Sequence, residues 1–393
     1  MLPHVACKMG GPAGRSFPMK PAPAQAVIVG GGIAGLAAAI TLGRKGWVCT
    51  VLEQDAKRLR SGQGLLLPPS GRDALKRLGL RNIEAFTAPI HCYQLCNADG
   101  TLLKQFGIDG ALSVLHRDLL TSLQGLLPET TRLVEGRCRA VEADGNGLWS
   151  AMDESGRHWQ ATLLVAADGV RSRSRRHLFP EAQLTPERTS EVVLVTRAPA
   201  VVEQLRGQCR KFQDRRAGLG LGLLPCRDGQ VVVFAQFTTG RYQPCGGAGA
   251  TPLLRECFSG WNDLLDALLA DLDASHAHLW HTTDLDPLPQ LHRGNLVLVG
   301  DSAHPLLTFT SQGSATALDD ALVLAELVAE VPANDQTALT TALERYSRTR
   351  LAVVAQLVAE GRRKQRQFLQ EADVCFAAGA PLVGFGLEPS PAR

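Results

Sequence analysis

The sequence predicts an α/β protein built on a parallel strand–helix–strand unit, and three observations predict it. In AQAVIVGGGIAGLAAAI, Ala26 to Val29 reads as a buried strand and the Ala- and Leu-rich stretch from Ile33 as a helix, with Gly30, Gly32 and Gly35 forming G-x-G-x-x-G between them. A second strand, Val48 to Leu52, ends in Glu53, about twenty residues further on. Two more apolar strands end in acidic turns: Leu163 to Ala167 before Asp168-Gly169, and Asn295 to Val299 before Gly300-Asp301.

Each glycine has a separate physical task. Gly30 makes a tight turn, Gly32 lets backbone approach a pyrophosphate, and Gly35 lets the helix pack on the strand. The phosphates then sit at the positive N-terminus of the helix. Glu53 is placed to accept from a ribose hydroxyl, and an acid there favours a free 2′-hydroxyl, hence FAD or NAD rather than NADP. The plain alternative is a glycine-rich turn with no nucleotide, which the strand before, the helix after and the acid downstream all disfavour.

Upstream, residues 1–24 are rich in Pro and Gly, with three basic residues and no acidic one. They lack the apolar core of a signal peptide and read as a disordered leader, with Met19 an alternative start. The apolar runs are strand-sized, far short of the roughly 20 residues of a membrane helix. At 393 residues, with 45% hydrophobic and 20% charged content, the chain is an ordinary globular one of two domains by default. A net charge of +3 without a basic stripe excludes a nucleic-acid partner. Ten scattered cysteines with no CxxC suit a reducing cytoplasm. Cys92, Cys96 and His91 lie together, but IHCYQLCNADG alternates like a strand ending in a turn, so no metal is expected.

In order along the chain, G-x-G-x-x-G with Glu53, then Asp168-Gly169, then Gly300-Asp301 resemble the flavoprotein aromatic hydroxylases, the para-hydroxybenzoate hydroxylase-like FAD monooxygenases. The resemblance spans most of residues 25–365. LHRDLL (Leu115 to Leu120) resembles the segment whose arginine, here Arg117, contacts the FAD phosphates. SGQGLLLPPSGRDALKRLGL (Ser61 to Leu80) resembles the stretch after the ribose acid, GLLPCRDGQVVVFAQF (Gly222 to Phe237) a hairpin of the substrate-domain sheet, and ALERYSRTR (Ala342 to Arg350) the helix that closes the flavin domain.

The resemblance implies a Rossmann-type FAD-binding domain, an inserted mainly antiparallel β-sheet substrate domain and a C-terminal helix. The expected partition is FAD-binding parts at 25–89, 105–186 and 287–365, substrate-domain strands at 90–104, a substrate sheet at 187–286, and a helix and tail at 366–393. By the same resemblance, Gly30, Gly32, Gly35, Glu53, Arg117, Asp168, Asp301 and Ala315 are cofactor-binding positions, Asp301 accepting from a hydroxyl of the ribityl chain. Pro305 to Gln312 would run beside the isoalloxazine, and the helix beginning near Gly313 and Ser314 would aim its N-terminus at the N1–C2=O edge. That suits a reduced flavin, whose negative charge is stabilised by N–H groups and a helix dipole, and the first acids, Asp319 and Asp320, lie further along. The chain departs from the family's P-x-x-G-Q-G pattern: Thr308 replaces a proline, Ser311 a glycine, and Ala315 an asparagine that holds the flavin's pyrimidine edge. Ser314 and Thr316 are the candidates to supply the missing polar group.

The chemistry so implied is oxidation of NADPH or NADH by FAD, addition of O2 at C4a, and delivery of one oxygen atom from the hydroperoxide to an electron-rich aromatic small molecule, by hydroxylation, epoxidation or dearomatisation. The partner is a small-molecule aromatic substrate, and no catalytic triad or metal is required. No second G-x-G-x-x-G serves the nicotinamide cofactor. GLGLGLLP (Gly218 to Pro225) precedes a turn and strand and reads as sheet, while Arg171, Arg173, Arg175 and Arg176 are either phosphate contacts or a solvated helix start. His304 reads as structural, and Tyr93 as packed or facing substrate. Three rivals share parts of the fold. A prenyl-chain-type FAD reductase differs in not needing oxygen. A halogenase would carry W-x-W-x-I-P and a pocket lysine, whereas the five tryptophans here are isolated. A non-catalytic partner protein would be colourless.

Overall fold

The computed structural model describes residues 23–55, 63–145 and 147–369. The expected leader at 1–24 and the tail after residue 369 therefore lie almost wholly outside the described residues.

Two large sheets organise the chain. The first has six strands in the order His292–Arg293, Leu296–Leu298, Leu163–Ala166, Gln25–Val29, Val48–Glu53 and Arg132–Glu135. All neighbours run parallel except the first pair, a short antiparallel hairpin. Its middle strands are apolar at nearly every position because helices and loops cover both faces. The Ile33–Arg44 helix packs on this sheet and against the Gly313–Val328 helix, where the Thr41 hydroxyl donates to Ala321 O at 3.1 Å.

The second sheet has eight strands: His278–Thr282, Thr189–Arg197, Gln230–Thr238, Leu219–Pro225, Gln208–Asp214, Thr87–Asn97, Leu102–Leu115 and Gly64–Leu67. Only the Gln208–Asp214 and Thr87–Asn97 pair is parallel. One face alternates into an apolar core with the Ala250–Phe258 and Asp263–Ala270 helices, through Val192, Leu194, Val231, Val233 and Phe237. The other face turns toward the parallel sheet. This sheet draws on more chain than expected: strands reach back to Gly64 and forward to Leu115, beyond the 90–104 segment. The Gly64–Leu67 edge strand is too short and too uniformly apolar to show an alternating signal.

A small third sheet, Cys138–Ala143, Trp149–Asp153 and His158–Trp159, flanks the parallel one. The Gln336–Leu369 helix then spans the molecule without the break expected at 365/366, since no proline or glycine interrupts residues 362–369. It touches both sheets: Tyr346 Oη donates to Leu298 O at 3.2 Å, and Gln365 Nε2 to Thr189 Oγ1 at 3.1 Å.

Candidate active site

A continuous cavity of about 1490 Å³ lies between the two sheets, lined by the carboxyl ends of the parallel strands, the 306–314 segment and the inner face of the antiparallel sheet. That exceeds the roughly 300–1,000 Å³ of ordinary small-molecule pockets, leaving room for a dinucleotide and a second molecule.

The glycine turn forms one wall. Gly30 has φ +103°, and a Cβ there would sit 2.3 Å from Ala167 O; a Cβ on Gly35 would sit 1.9 Å from Gly30 O. Both positions exclude any side chain. Gly32, by contrast, has no heavy atom within 4 Å of an added Cβ. It caps the Ile33–Arg44 helix with no side-chain hydrogen bond and no acid in the first turn, so the helix N–H groups face the cavity. Gly35 does not line the cavity; its role is the close approach of helix to turn. Glu53 lines the cavity and is fixed by accepting from Gly31 N at 2.6 Å and Asp55 N at 3.1 Å.

Asp301 stands in the Gly300–Ser302 turn and also lines the cavity. Burial raises its carboxyl above the ordinary range, opposed by His304 and Arg175. The main chain around it is held tightly: Gly300 N donates to Asp320 Oδ2 at 2.7 Å, and Arg175 Nη1 donates to the Asp301 and Ser302 carbonyls at 3.1 and 2.9 Å. Arg175 is thus a buried brace between two turns, whereas Arg171 and Arg173 line the cavity. His304 is buried, faces Asp320 Oδ2 at 2.6 Å and lies outside the lining, which makes it structural; Arg350 Nε meets the other oxygen at 2.6 Å. For Asp320, burial alone would raise the carboxyl, but His304 and Arg350 outweigh it and hold it below the usual range.

The Gly313–Val328 helix starts at the cavity. Ser311, Gln312, Gly313 and Ser314 all line it, with no side-chain cap and no acid in the first turn. Ser311 takes φ +54°, the left-handed conformation that suits the glycine it replaces. Ser314 is the hydroxyl that faces the cavity, while Thr316 is buried and outside the lining. Thr308 Oγ1 donates to Glu191 Oε1, a bond the proline of the common pattern lacks.

Four expected positions are placed differently. Arg117 is not in the lining; its Nε lies 3.3 Å from Asp118 Oδ1, while His116, Leu120 and Gln124 face the cavity. The helix explains this, since residues four apart share a face and 117 points about 100° away. Asp168 reaches the lining, but its carboxylate accepts from Ser172 Oγ, Arg173 N, Ser174 N and Ser174 Oγ at 2.6 to 3.1 Å. It is engaged at the start of the Arg173–Leu178 helix. Ala315 is buried beneath the lining, where a Cβ on Gly71 would come within 3.1 Å of it, leaving little space for an asparagine. Pro305 is buried behind the lining as well; Leu306, Leu307, Thr308 and Phe309 form that wall.

The antiparallel sheet supplies the opposite wall. Along Gln230–Thr238, Val232, Phe234 and Gln236 face the cavity while Val231, Val233 and Phe237 enter the core. GLGLGLLP is a strand, Leu219–Pro225, and its alternate glycines keep this face low: a Cβ on Gly222 would lie 1.9 Å from the Phe234 ring. Tyr93 stacks on Phe106 at 5.0 Å, and both line the cavity. Sequence reading missed the polar group on this face: Glu191, Gln236 and Lys211, drawn from three separate strands.

These features fit FAD. There is a cradle closed to side chains at Gly30 and Gly35 but open at Gly32, and Asp301, whose carboxylate accepts no hydrogen bond from the described residues, lines the same cavity. Comparison with known proteins agrees. The family model described as "FAD binding domain" matches residues 23–361. Aurachin C monooxygenase/isomerase of Stigmatella aurantiaca is 30% identical over 351 residues, covering 85% of this chain and 86% of that protein. The chain belongs to the FAD-dependent aromatic hydroxylase family. A second relative in this family, a 3-amino-4-hydroxybenzoate 2-monooxygenase of Streptomyces platensis, is 29% identical, covering 87% of each chain. Klebsiella pneumoniae HpxO complexed with FAD and uric acid shares the hydroxylase fold, with a TM-score of 0.79 at 22% identity, 88% of this chain and 89% of that one. This flavoprotein is an FAD-dependent monooxygenase.

Proposed function

We propose that this monooxygenase takes an electron-rich aromatic small molecule, reduces its FAD with NADPH or NADH, and transfers one atom of O2 to the ring. The observation that carries the reading is the continuity of the cavity, which joins the dinucleotide loops to an aromatic-lined wall of the antiparallel sheet. Bound FAD, once reduced, supplies the oxygen activation that no amino-acid side chain provides.

The chain's own residues bind, orient and shield. In this reading Gly32 and the Ile33–Arg44 helix N-terminus take the pyrophosphate, Glu53 a ribose, and Asp301 a ribityl hydroxyl. The Gly313–Val328 helix N-terminus and Ser314 meet the pyrimidine edge, where its dipole favours negative charge. Leu306, Leu307 and Phe309 keep water from the reacting side. Arg171 and Arg173 are the positions for the phosphates of the nicotinamide cofactor. Relatives named for 3-amino-4-hydroxybenzoate and 3-hydroxybenzoate both support an aromatic substrate. No helix of the described residues is long and apolar enough to cross a membrane. The free thiols of the eight described cysteines support a cytoplasmic location.

The test is aerobic NADPH and NADH oxidation by the purified protein across phenols, hydroxybenzoates and quinolones, with oxygenated product and hydrogen peroxide quantified together. Substrate-stimulated oxidation with product supports the reading. A reduced product formed without oxygen would replace it with the reductase.

A further inference from the structure

The inner face of the antiparallel sheet carries a buried polar chain that flavin binding does not use. Glu191 and Gln236 are cross-strand partners, and Gln236 Nε2 donates to Glu191 Oε1. Lys211, two strands beyond Gln236, donates to Gln236 Oε1. It can reach because the intervening strand presents Gly220 and Gly222: a Cβ on Gly220 would stand 3.3 Å from Lys211 Cε. At the far end Thr308, on the wall next to the Gly313 helix, donates to the same Glu191 oxygen. The chain therefore runs from the flavin-side loop to one lysine nitrogen at the aromatic wall.

Lys211 is only 8% exposed, yet lines the cavity. Its nitrogen lies 5.3 and 5.4 Å from the Phe309 and Phe368 ring centroids. Among the described residues it donates one hydrogen bond, and an ammonium carries three N–H groups. A buried, incompletely bonded lysine is costly, and facing a cavity it is a functional candidate.

We propose that Lys211 takes the proton of an acidic substrate hydroxyl, a phenol or enol conjugated to the reacting carbon, and then holds the oxyanion. The proton balance is simple: the substrate O–H breaks, its electron pair stays on oxygen, and neutral lysine becomes ammonium. The ring is then more electron-rich and better suited to accept an electrophilic oxygen. Gln236, Glu191 and Thr308 are positioning residues, holding the lysine and tying its state to the flavin-side loop.

The electrostatics agree with the geometry. Burial pulls Lys211 down to about 8; Glu191 and Cys209 act to raise it, Arg215 and Lys364 to lower it further. Burial likewise raises Glu191, against its bonds to Thr308 and Gln236 and the charge of Lys211. A base with this affinity is partly neutral at physiological pH, as proton transfer requires.

The inference rests on the monooxygenase reading, so its test uses equilibrium spectroscopy of the FAD-loaded protein. A set of weakly acidic nitrophenols, whose phenolate absorbs differently from the phenol, is titrated into wild type, Lys211→Met, Lys211→Arg and Gln236→Leu near pH 8, where Lys211 is partly neutral and which lies below the probes' own ionisation. Retained FAD shows that each variant is folded. Wild type should bind the probe as phenolate. Lys211→Met should bind it at least tenfold more weakly or as the phenol, Lys211→Arg should restore the phenolate band, and Gln236→Leu should shift the pH at which the band appears. A phenol band in wild type, an unchanged phenolate band in Lys211→Met, or no binding of any probe overturns the proposal. If aromatic hydroxylation survives that result, the monooxygenase reading stands without it.

Discussion

Gly32 and Gly35 are three residues apart, and their substitutions should act on different properties. An added Cβ at Gly32 meets no protein atom within 4 Å, so Gly32→Ala should fold with stability within about 0.5 kcal/mol of wild type yet lose FAD. At Gly35 the same methyl would overlap the Gly30 carbonyl, so Gly35→Ala should cost several times that and melt at a clearly lower temperature. Calorimetry of the apo-proteins and the flavin-to-protein absorbance ratio separate the two; equal melting temperatures would contradict the assignment. Asp301→Ala removes a carboxylate proposed for the ribityl chain, and loss of a charged hydrogen bond of roughly 1.5–3 kcal/mol should weaken FAD retention tenfold or more. Unchanged occupancy after gel filtration would count against that role. Ser311, at φ +54°, is strained by roughly 1–2 kcal/mol relative to a right-handed conformation. Ser311→Gly should therefore be at least as stable as wild type, and denaturant midpoints check it.

At the scale of elements, the His304–Asp320–Arg350 group fixes how the Gly300–Ser302 turn, the Gly313–Val328 helix and the Gln336–Leu369 helix meet. Asp320→Asn leaves the buried arginine without its charge partner and should cost about 3–5 kcal/mol. The signs of its pH dependence follow from the two shifts. Asp320 is held below the ordinary range, so its contribution is present above the unfolded carboxyl pKa and lost as pH falls through the lowered one. His304 is raised: burial alone would lower it, but the Asp320 charge and hydrogen bond prevail. Its contribution is full below the unfolded histidine pKa and fades as pH rises through the raised one. Stability should therefore fall at both ends in wild type, and the Asn variant should lack both losses; parallel pH profiles of melting temperature would refute this. Local pattern made the parallel strands and the glycine turn legible, because each carries its signal within a few residues. That Arg117, Ala315 and Pro305 lie outside the cavity lining, and that the Asp168 carboxylate is engaged at a helix start, was not legible for the opposite reason. Whether a side chain faces the cavity depends on helix phase, capping partners and the packing of distant elements, none of which spacing records.

For the whole molecule, the decisive feature is that two sheets of different origin enclose one cavity. The dinucleotide side was readable from motifs, while the Glu191–Gln236–Lys211 face was not, since its members come from strands distant in sequence and meet only through sheet register. The long helix adds Lys364 and Phe368 to the same cavity from near the end of the described chain, a contribution with no local signature. In the proposed reaction an aromatic ring on the antiparallel sheet receives an oxygen atom activated on the dinucleotide side. The most direct measurement is turnover under isotopically heavy oxygen gas with an aromatic substrate found in the NAD(P)H-oxidation screen, followed by mass spectrometry of the product. A monooxygenase reaction should place one heavy oxygen atom in each product molecule, with NAD(P)H consumed in equal amount. A product that carries no label, or that forms equally well without oxygen, would contradict it.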